Sequence, residues 1–173
     1  RSCNDDTLQH YAKSAIESLP AKSGILLSDA EGVTSSQQTR ALLVQAELAR
    51  QGRAKDYLVV NTSALNFPSY HHYLHKKFPA WPEIPAAQQM YEVKPAVILG
   101  ALNELAKSNL LCYLNPSFGY YFELFYQEPH GLVYQMKTLP PDTLMPPPLS
   151  TNLISENQQF WSEVKKSEFP RIE

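Results

Sequence analysis

Three features are scarce in this sequence of 173 residues: cysteines, runs of basic side chains and long apolar stretches. The two cysteines, Cys3 and Cys112, are too few for a disulfide framework. Because the net charge is −2 and no Lys/Arg run exceeds two residues, we expect no nucleic-acid partner. No apolar run approaches the ~18 residues that a membrane-spanning helix needs, so the sequence predicts no such helix.

The composition is that of a globular chain, with 43% hydrophobic and 18% charged residues. We predict a single α/β domain over residues 1–150, followed by a C-terminal helical segment over residues 151–173. Cys112 lies in an apolar run and is predicted to be a buried core side chain rather than a nucleophile. A disulfide between Cys3 and Cys112 is possible only in an oxidising compartment, and the sequence does not decide whether it forms.

Hydrophobic periodicity predicts alternating helices and strands. Predicted helices cover about 5–18, 35–50, 69–78, 94–107 and 151–166, and predicted strands cover 25–29, 57–61, 110–114 and 132–136. Continuous apolar strands separated by helices are typical of parallel βαβ units. The sequence therefore predicts an α/β fold of three layers, with a mainly parallel central sheet and flanking helices. The aromatic stretch 118–126 fits a helix or a strand equally.

Polar side chains follow three of the predicted strands. Asp29, Asn61 and Asn115 each stand at a strand end, and Glu31 follows Asp29 in the first strand-to-helix loop. Ligands of open α/β sheets bind outside the carboxyl ends of the strands, so these four residues are candidate ligand-binding residues. The alternative is that they cap the turns and helices that follow.

The sequence indicates no cofactor, no metal and no catalytic set. The loop 28–34 contains one glycine, so it is neither a dinucleotide fingerprint nor a P-loop. Its carboxylates suit a hard cation, but two carboxylates alone do not define a site. His71 and His75 have the helical spacing of paired zinc ligands, yet the pattern fixes no third ligand, so packing or surface roles are favoured.

Aromatic rings concentrate in residues 118–126. One interpretation is that Phe118, Tyr121, Phe122 and Phe125 pack against the sheet, since large rings dominate burial. The other is that they form an exposed stacking platform for a sugar or lipid. Gly131 is expected in a turn that leads into the last strand.

Besides Tyr11-Ala12 and Ser18-Leu19-Pro20, three longer stretches carry a family resemblance. They are Gly24–Asp29 (GILLSD), Asp56–Leu65 (DYLVVNTSAL) and Tyr113–Glu123 (YLNPSFGYYFE), the last continuing through Pro129–Tyr134 (PHGLVY). They resemble the extramembrane domain of a bacterial family of multi-span membrane proteins of uncharacterised role. That family is related to protein O-mannosyltransferases of the lipid-linked-sugar-using (GT-C) class.

The resemblance implies a non-catalytic domain on the periplasmic side of the bacterial inner membrane. Its partners would be the membrane-spanning part of its own chain and, as substrate, a protein or a polyprenyl-linked sugar. The family's catalytic acid lies in a loop of the membrane region, so no catalytic residue is assigned here. Many members read Gly-Asp-x-Asp where this chain has Ser28-Asp29-Ala30-Glu31, so only Asp29 carries over. Members often continue into helical repeats, toward which residues 151–173 would lead.

Two other functions stay open from the sequence. One is a small-molecule enzyme that uses the pocket at the strand ends, and the other is a structural spacer without a pocket.

Overall fold

The computed structural model describes residues 6–29, 36–84, 91–114, 124–143 and 145–167. The helices in these ranges are α1 (Thr7–Glu17), α2 (Ser36–Arg50), α3 (Pro68–Lys77), α4 (Pro95–Ser108) and α5 (Thr151–Ser167), with a 3-10 helix over Thr62–Asn66. The strands are β1 (Gly24–Ser28), β2 (Tyr57–Asn61), β3 (Leu110–Leu114), β4 (Phe125–His130) and β5 (Val133–Thr138). Each predicted helix is present, with ends shifted by a few residues.

The five strands form one mixed sheet in the order β2-β1-β3-β5-β4. β1 pairs in parallel with β2 and β3, whereas β5 pairs antiparallel with β3 and β4. The α/β class is confirmed, but the mainly parallel arrangement is confirmed only in part, because half of the pairings are antiparallel. The tight turn at Gly131, whose φ of +59° suits a hairpin, accounts for the antiparallel pairing of β4 with β5.

Hydrophobic clusters lie on both faces of the sheet, because successive strand side chains point to opposite faces. Ile25 and Leu27 belong to one cluster, which also receives side chains from α3 and α4. Leu26 belongs to the other, which receives side chains from α1 and α2. Cys112 lies in this second cluster, fully buried, and burial raises the pKa of its thiol to about 12. Its predicted role as a core side chain is confirmed.

Helix α5 packs against β4, the outer strand on one side of the sheet. The Asn157 side chain accepts a hydrogen bond from the Gly131 N–H (2.9 Å) and donates one to the Pro129 carbonyl (2.7 Å). The Ser18 hydroxyl, at the end of α1, accepts from the Leu132 N–H at 3.2 Å. The β4–β5 turn is therefore fixed by polar side chains from two helices.

Candidate functional site

Asp29 directly follows β1 and is 5% exposed. Its carboxylate accepts hydrogen bonds from the hydroxyl groups of Thr62 and Tyr113. Thr62 opens the 3-10 helix after β2, and Tyr113 lies within β3, so Asp29 ties the ends of the three parallel strands together. A buried carboxylate needs such donors to offset its lost hydration. This geometry gives Asp29 a structural role at the predicted edge of the sheet.

Asn61 ends β2 at the same edge. Its side-chain oxygen accepts a hydrogen bond from the Ser63 N–H at 3.0 Å and caps the 3-10 helix. Its own N–H donates to the Tyr70 hydroxyl oxygen at 3.0 Å. The structure thus places Asp29 and Asn61 near one another through Thr62. Glu31 and Asn115, the other two candidate residues, lie outside the described residues.

A surface pocket of about 290 Å³ opens at this edge, between α2, β2 and α3. We call it the carboxyl-edge pocket; it is lined by Ser28, Ala41, Leu42, Gln45, Val59, Asn61 and Tyr70. Leu42 is 63% exposed, although it is a large apolar side chain. Few polar groups on a mostly apolar wall are typical of a binding site for an organic ligand.

Tyr70 and Tyr73 stack beside this pocket, with ring centroids 5.9 Å apart and an interplanar angle of 14°. Burial raises the pKa of the Tyr70 hydroxyl above its ordinary value. Tyr73 is 50% exposed and stacks on Tyr70, which lines the pocket. Sequence reasoning missed this pair; its signal was the i, i+3 spacing of two tyrosines on a predicted helix.

The outer edge of β2 carries unpaired backbone groups. The Gly24 N–H donates to the Asp56 carbonyl at 2.9 Å, so residues 56, 58 and 60 direct their backbone groups to β1. The alternate residue Val59 therefore directs its N–H and C=O away from the sheet. Within the described ranges, no strand lies beyond β2 to pair with them.

A second pocket, of about 410 Å³, lies at the opposite end of β2. We call it the lysine pocket; its wall includes Lys55, Asp56, Tyr57, Leu58, Lys77 and Phe78. Asp56 is paired with Arg53 at 3.0 Å, whereas Lys55 and Lys77 have no ion-pair partner in the part of the chain described above. The sequence did not predict this pocket, since nothing local connects its two lysines.

The histidines of α3 bind protein groups. His71 is buried between the Leu65 carbonyl, 2.6 Å from its Nε2, and the Trp81 Nε1–H, 3.2 Å from its Nδ1. Burial lowers the pKa of His71, which favours the neutral ring that can donate at Nε2 and accept at Nδ1. His75 bonds through Nδ1 to the Trp81 carbonyl at 2.6 Å. The two rings therefore hold Trp81 in the core, and the interpretation as packing histidines fits this geometry.

Of the aromatic stretch 118–126, residues 118–123 lie outside the described residues. Phe125 is 2% exposed and begins β4, so its predicted packing against the sheet is confirmed. Gly131 occupies the expected turn. Its φ is positive, and a Cβ there would lie 2.5 Å from the Ser18 hydroxyl oxygen and 3.0 Å from the Phe160 ring.

Across the described residues, no three His, Cys, Asp or Glu side chains are grouped to hold a metal ion. No helix in those ranges is both long and apolar enough to cross a membrane. Comparison of the chain with protein-family models, with curated proteins and with solved structures found no match.

Proposed function

We propose that this chain is a non-catalytic, ligand-engaging domain of a membrane-embedded, glycosyltransferase-like protein. It would lie on the periplasmic side of a bacterial inner membrane, attached to the membrane-spanning part of its own chain. There it would help that part to engage a protein acceptor or a polyprenyl-linked sugar donor. The observation that carries the proposal is the carboxyl-edge pocket beside the Tyr70–Tyr73 stack. The family resemblance of the sequence supplies the membrane context.

The side chains of this pocket support binding more than chemistry. Its polar members are Ser28, Gln45, Asn61 and Tyr70. A general base needs a pKa near the working pH, and amides do not titrate in that range. The Tyr70 hydroxyl has a raised pKa, and the buried Asp29 carboxylate accepts hydrogen bonds from two hydroxyl groups. A free-standing enzyme at these strand ends is therefore disfavoured.

A pure spacer is also disfavoured, because it needs no concave surface. The carboxyl-edge pocket, with the exposed Leu42 in its wall, leaves apolar area in contact with water. Such area on a folded domain is commonly kept for a ligand or a partner.

Tyr73→Ala in the full-length membrane protein tests the proposal. Because Tyr73 is half exposed, the variant should fold, and we expect sugar transfer to fall several-fold. His72→Ala is the matched control, since it changes an exposed neighbour on the same helix. Equal transfer by both variants and by the wild type contradicts the proposed role. Protection of this domain from protease in intact spheroplasts contradicts the periplasmic side.

The finer fold prediction, a three-layer arrangement, is supported by the two hydrophobic clusters, which bring helices to both faces of the sheet. We propose it for the parallel half around β1. In such an arrangement the faces are covered, so a ligand reaches the sheet at the strand ends and at the outer edge of β2.

A further inference from the structure

The outer edge of β2 offers hydrogen bonds to an extended backbone. The N–H and C=O of Val59 point away from β1, and no strand lies beyond them among the residues described. Outward-pointing backbone groups on an edge strand are a template for another strand. At Asn61 the template ends, because its N–H donates to the Tyr70 hydroxyl oxygen.

The two pockets lie at the two ends of this edge. Val59 lines the carboxyl-edge pocket and packs with the cluster formed by α1 and α2. Leu58 lines the lysine pocket and packs with the cluster formed by α3 and α4. These adjacent residues point to opposite faces of the sheet, as the side chains of an added strand would.

The pockets differ in charge, which sets what each would accept. The carboxyl-edge pocket presents the apolar side chains of Leu42 and Val59. In the lysine pocket, Arg53 neutralises Asp56, while Lys55 and Lys77 remain exposed and without an ion-pair partner in the described ranges. The first pocket is therefore complementary to an apolar side chain and the second to an acidic one.

We propose that β2 binds an extended peptide segment by strand addition, with an apolar side chain in the carboxyl-edge pocket and an acidic side chain at Lys55 and Lys77. This inference rests on the proposed function and names its ligand class, a polypeptide acceptor in extended conformation. Backbone hydrogen bonds to Val59 supply affinity, and the two pockets supply specificity. We expect the acidic and the apolar side chains to lie an odd number of positions apart, because Leu58 and Val59, which line the two pockets, point to opposite faces.

The test uses short, capped threonine peptides that carry one Glu and one Leu. One set separates Glu from Leu by an odd number of positions and the other by an even number. Each set includes peptides with Glu before Leu and peptides with Leu before Glu. We expect the odd set to bind tighter, to shift the Val59 amide resonance and to slow its hydrogen exchange. N-methylating the peptide at the groups that pair with Val59 should weaken binding about tenfold, the value of one well-made hydrogen bond.

Charge reversal provides a second arm on the protein. Lys77→Glu should weaken the binding of Glu-containing peptides by about two- to fivefold and strengthen the binding of peptides that carry Lys instead. Lys76→Glu is the matched control, because it changes the neighbouring exposed lysine outside the pocket.

Val59→Pro removes only an outward N–H, whereas Leu58→Pro also removes a bond to β1 and should unfold the sheet.

Equal binding of odd and even sets, no peptide binding, or an unchanged Val59 amide overturns the inference. So does dimerisation through β2, which would make a second copy of the chain the occupant. If the peptides fail while Tyr73→Ala still lowers sugar transfer, the inference alone is wrong. If the odd set binds while Tyr73→Ala leaves transfer unchanged, the peptide edge stands and the proposed function is wrong.

Discussion

At one side of the sheet, β4 lies against α5, and Asn157 of that helix bonds to the backbone at Pro129 and Gly131. At the other side, no strand lies beyond β2 within the described residues, and the N–H and C=O of Val59 point outward. Edge strands invite pairing, and proteins commonly cover, charge or shorten them. We call the β4 edge, whose turn is fixed by α5, the closed side and the β2 edge the open side. The proposal that β2 binds another chain rests on this contrast.

The largest effect should come from the closed side. Phe125→Ala removes a ring that is 2% exposed at the start of β4, and we expect a loss of about 3–5 kcal/mol of unfolding free energy. Urea denaturation measures it. On the open side, the half-buried Val59→Ala should cost about 1 kcal/mol. Similar losses for the two variants would erase the proposed contrast between the edges.

The next largest effect should come from the hydrogen bonds that α5 makes to the β4–β5 turn. Asn157→Ala leaves the Gly131 N–H and the Pro129 carbonyl without their side-chain partner, which should cost about 1–3 kcal/mol. Asn152→Ala is the control, because Asn152 is exposed on the same helix. If both variants melt at the wild-type temperature, Asn157 does not hold the turn.

Acid should destabilise the domain through His71 on the open side. Burial lowers its pKa from 6.5, so between the folded-state pKa and 6.5 the unfolded chain binds more protons than the folded one. The unfolding free energy should therefore fall as the pH drops below 6.5, and stay flat above it as far as this group is concerned. His130, whose pKa burial also lowers, adds in the same direction on the closed side.

Urea denaturation across this pH range checks the sign. His71→Gln keeps a polar side chain but removes the titrating ring, so its curve should flatten relative to that of the wild type. A wild-type stability that rises as the pH falls from 6.5 would contradict the buried, neutral imidazole.

The smallest effect is expected at the wall of the carboxyl-edge pocket. Leu42→Gln changes a side chain that is 63% exposed, so the unfolding free energy should change by no more than about 0.5 kcal/mol. Leu8→Gln, at a 55% exposed position on α1, is the control. Peptide or sugar binding should weaken for Leu42→Gln alone. A stability loss of several kcal/mol would make Leu42 a core residue and remove it from the binding surface.

The parallel half of the fold was predictable because its strands are short apolar runs and the apolar residues of its helices recur at helical spacing. β1 is buried along its whole length, so its sequence, GILLS, is almost uninterrupted by polar residues. β4 was missed because only Phe125 of its six residues is fully buried, and its other positions, including Pro129, show no alternation. Half-buried edge strands leave a weak pattern in sequence.

The candidate site was predicted only as a location. Asp29 follows β1 and Asn61 ends β2, which placed both at one edge of the sheet. The bond from Tyr113 to Asp29 joins residues far apart in sequence, so the burial and structural role of that carboxylate could not be read from local pattern. Lys55 and Lys77 likewise meet only through tertiary packing, which is why the lysine pocket was not predicted.

Hydrogen exchange of single amides in the free protein tests the central contrast most directly. Leu58 and Val60 direct their amides to β1, whereas Val59 directs its amide outward. The open-edge account predicts that Val59 exchanges at least about tenfold faster than both neighbours, and that a bound odd-set peptide removes the difference. Val59 protection equal to that of Leu58 and Val60 in the free protein would show that the edge is already occupied, and would contradict the account.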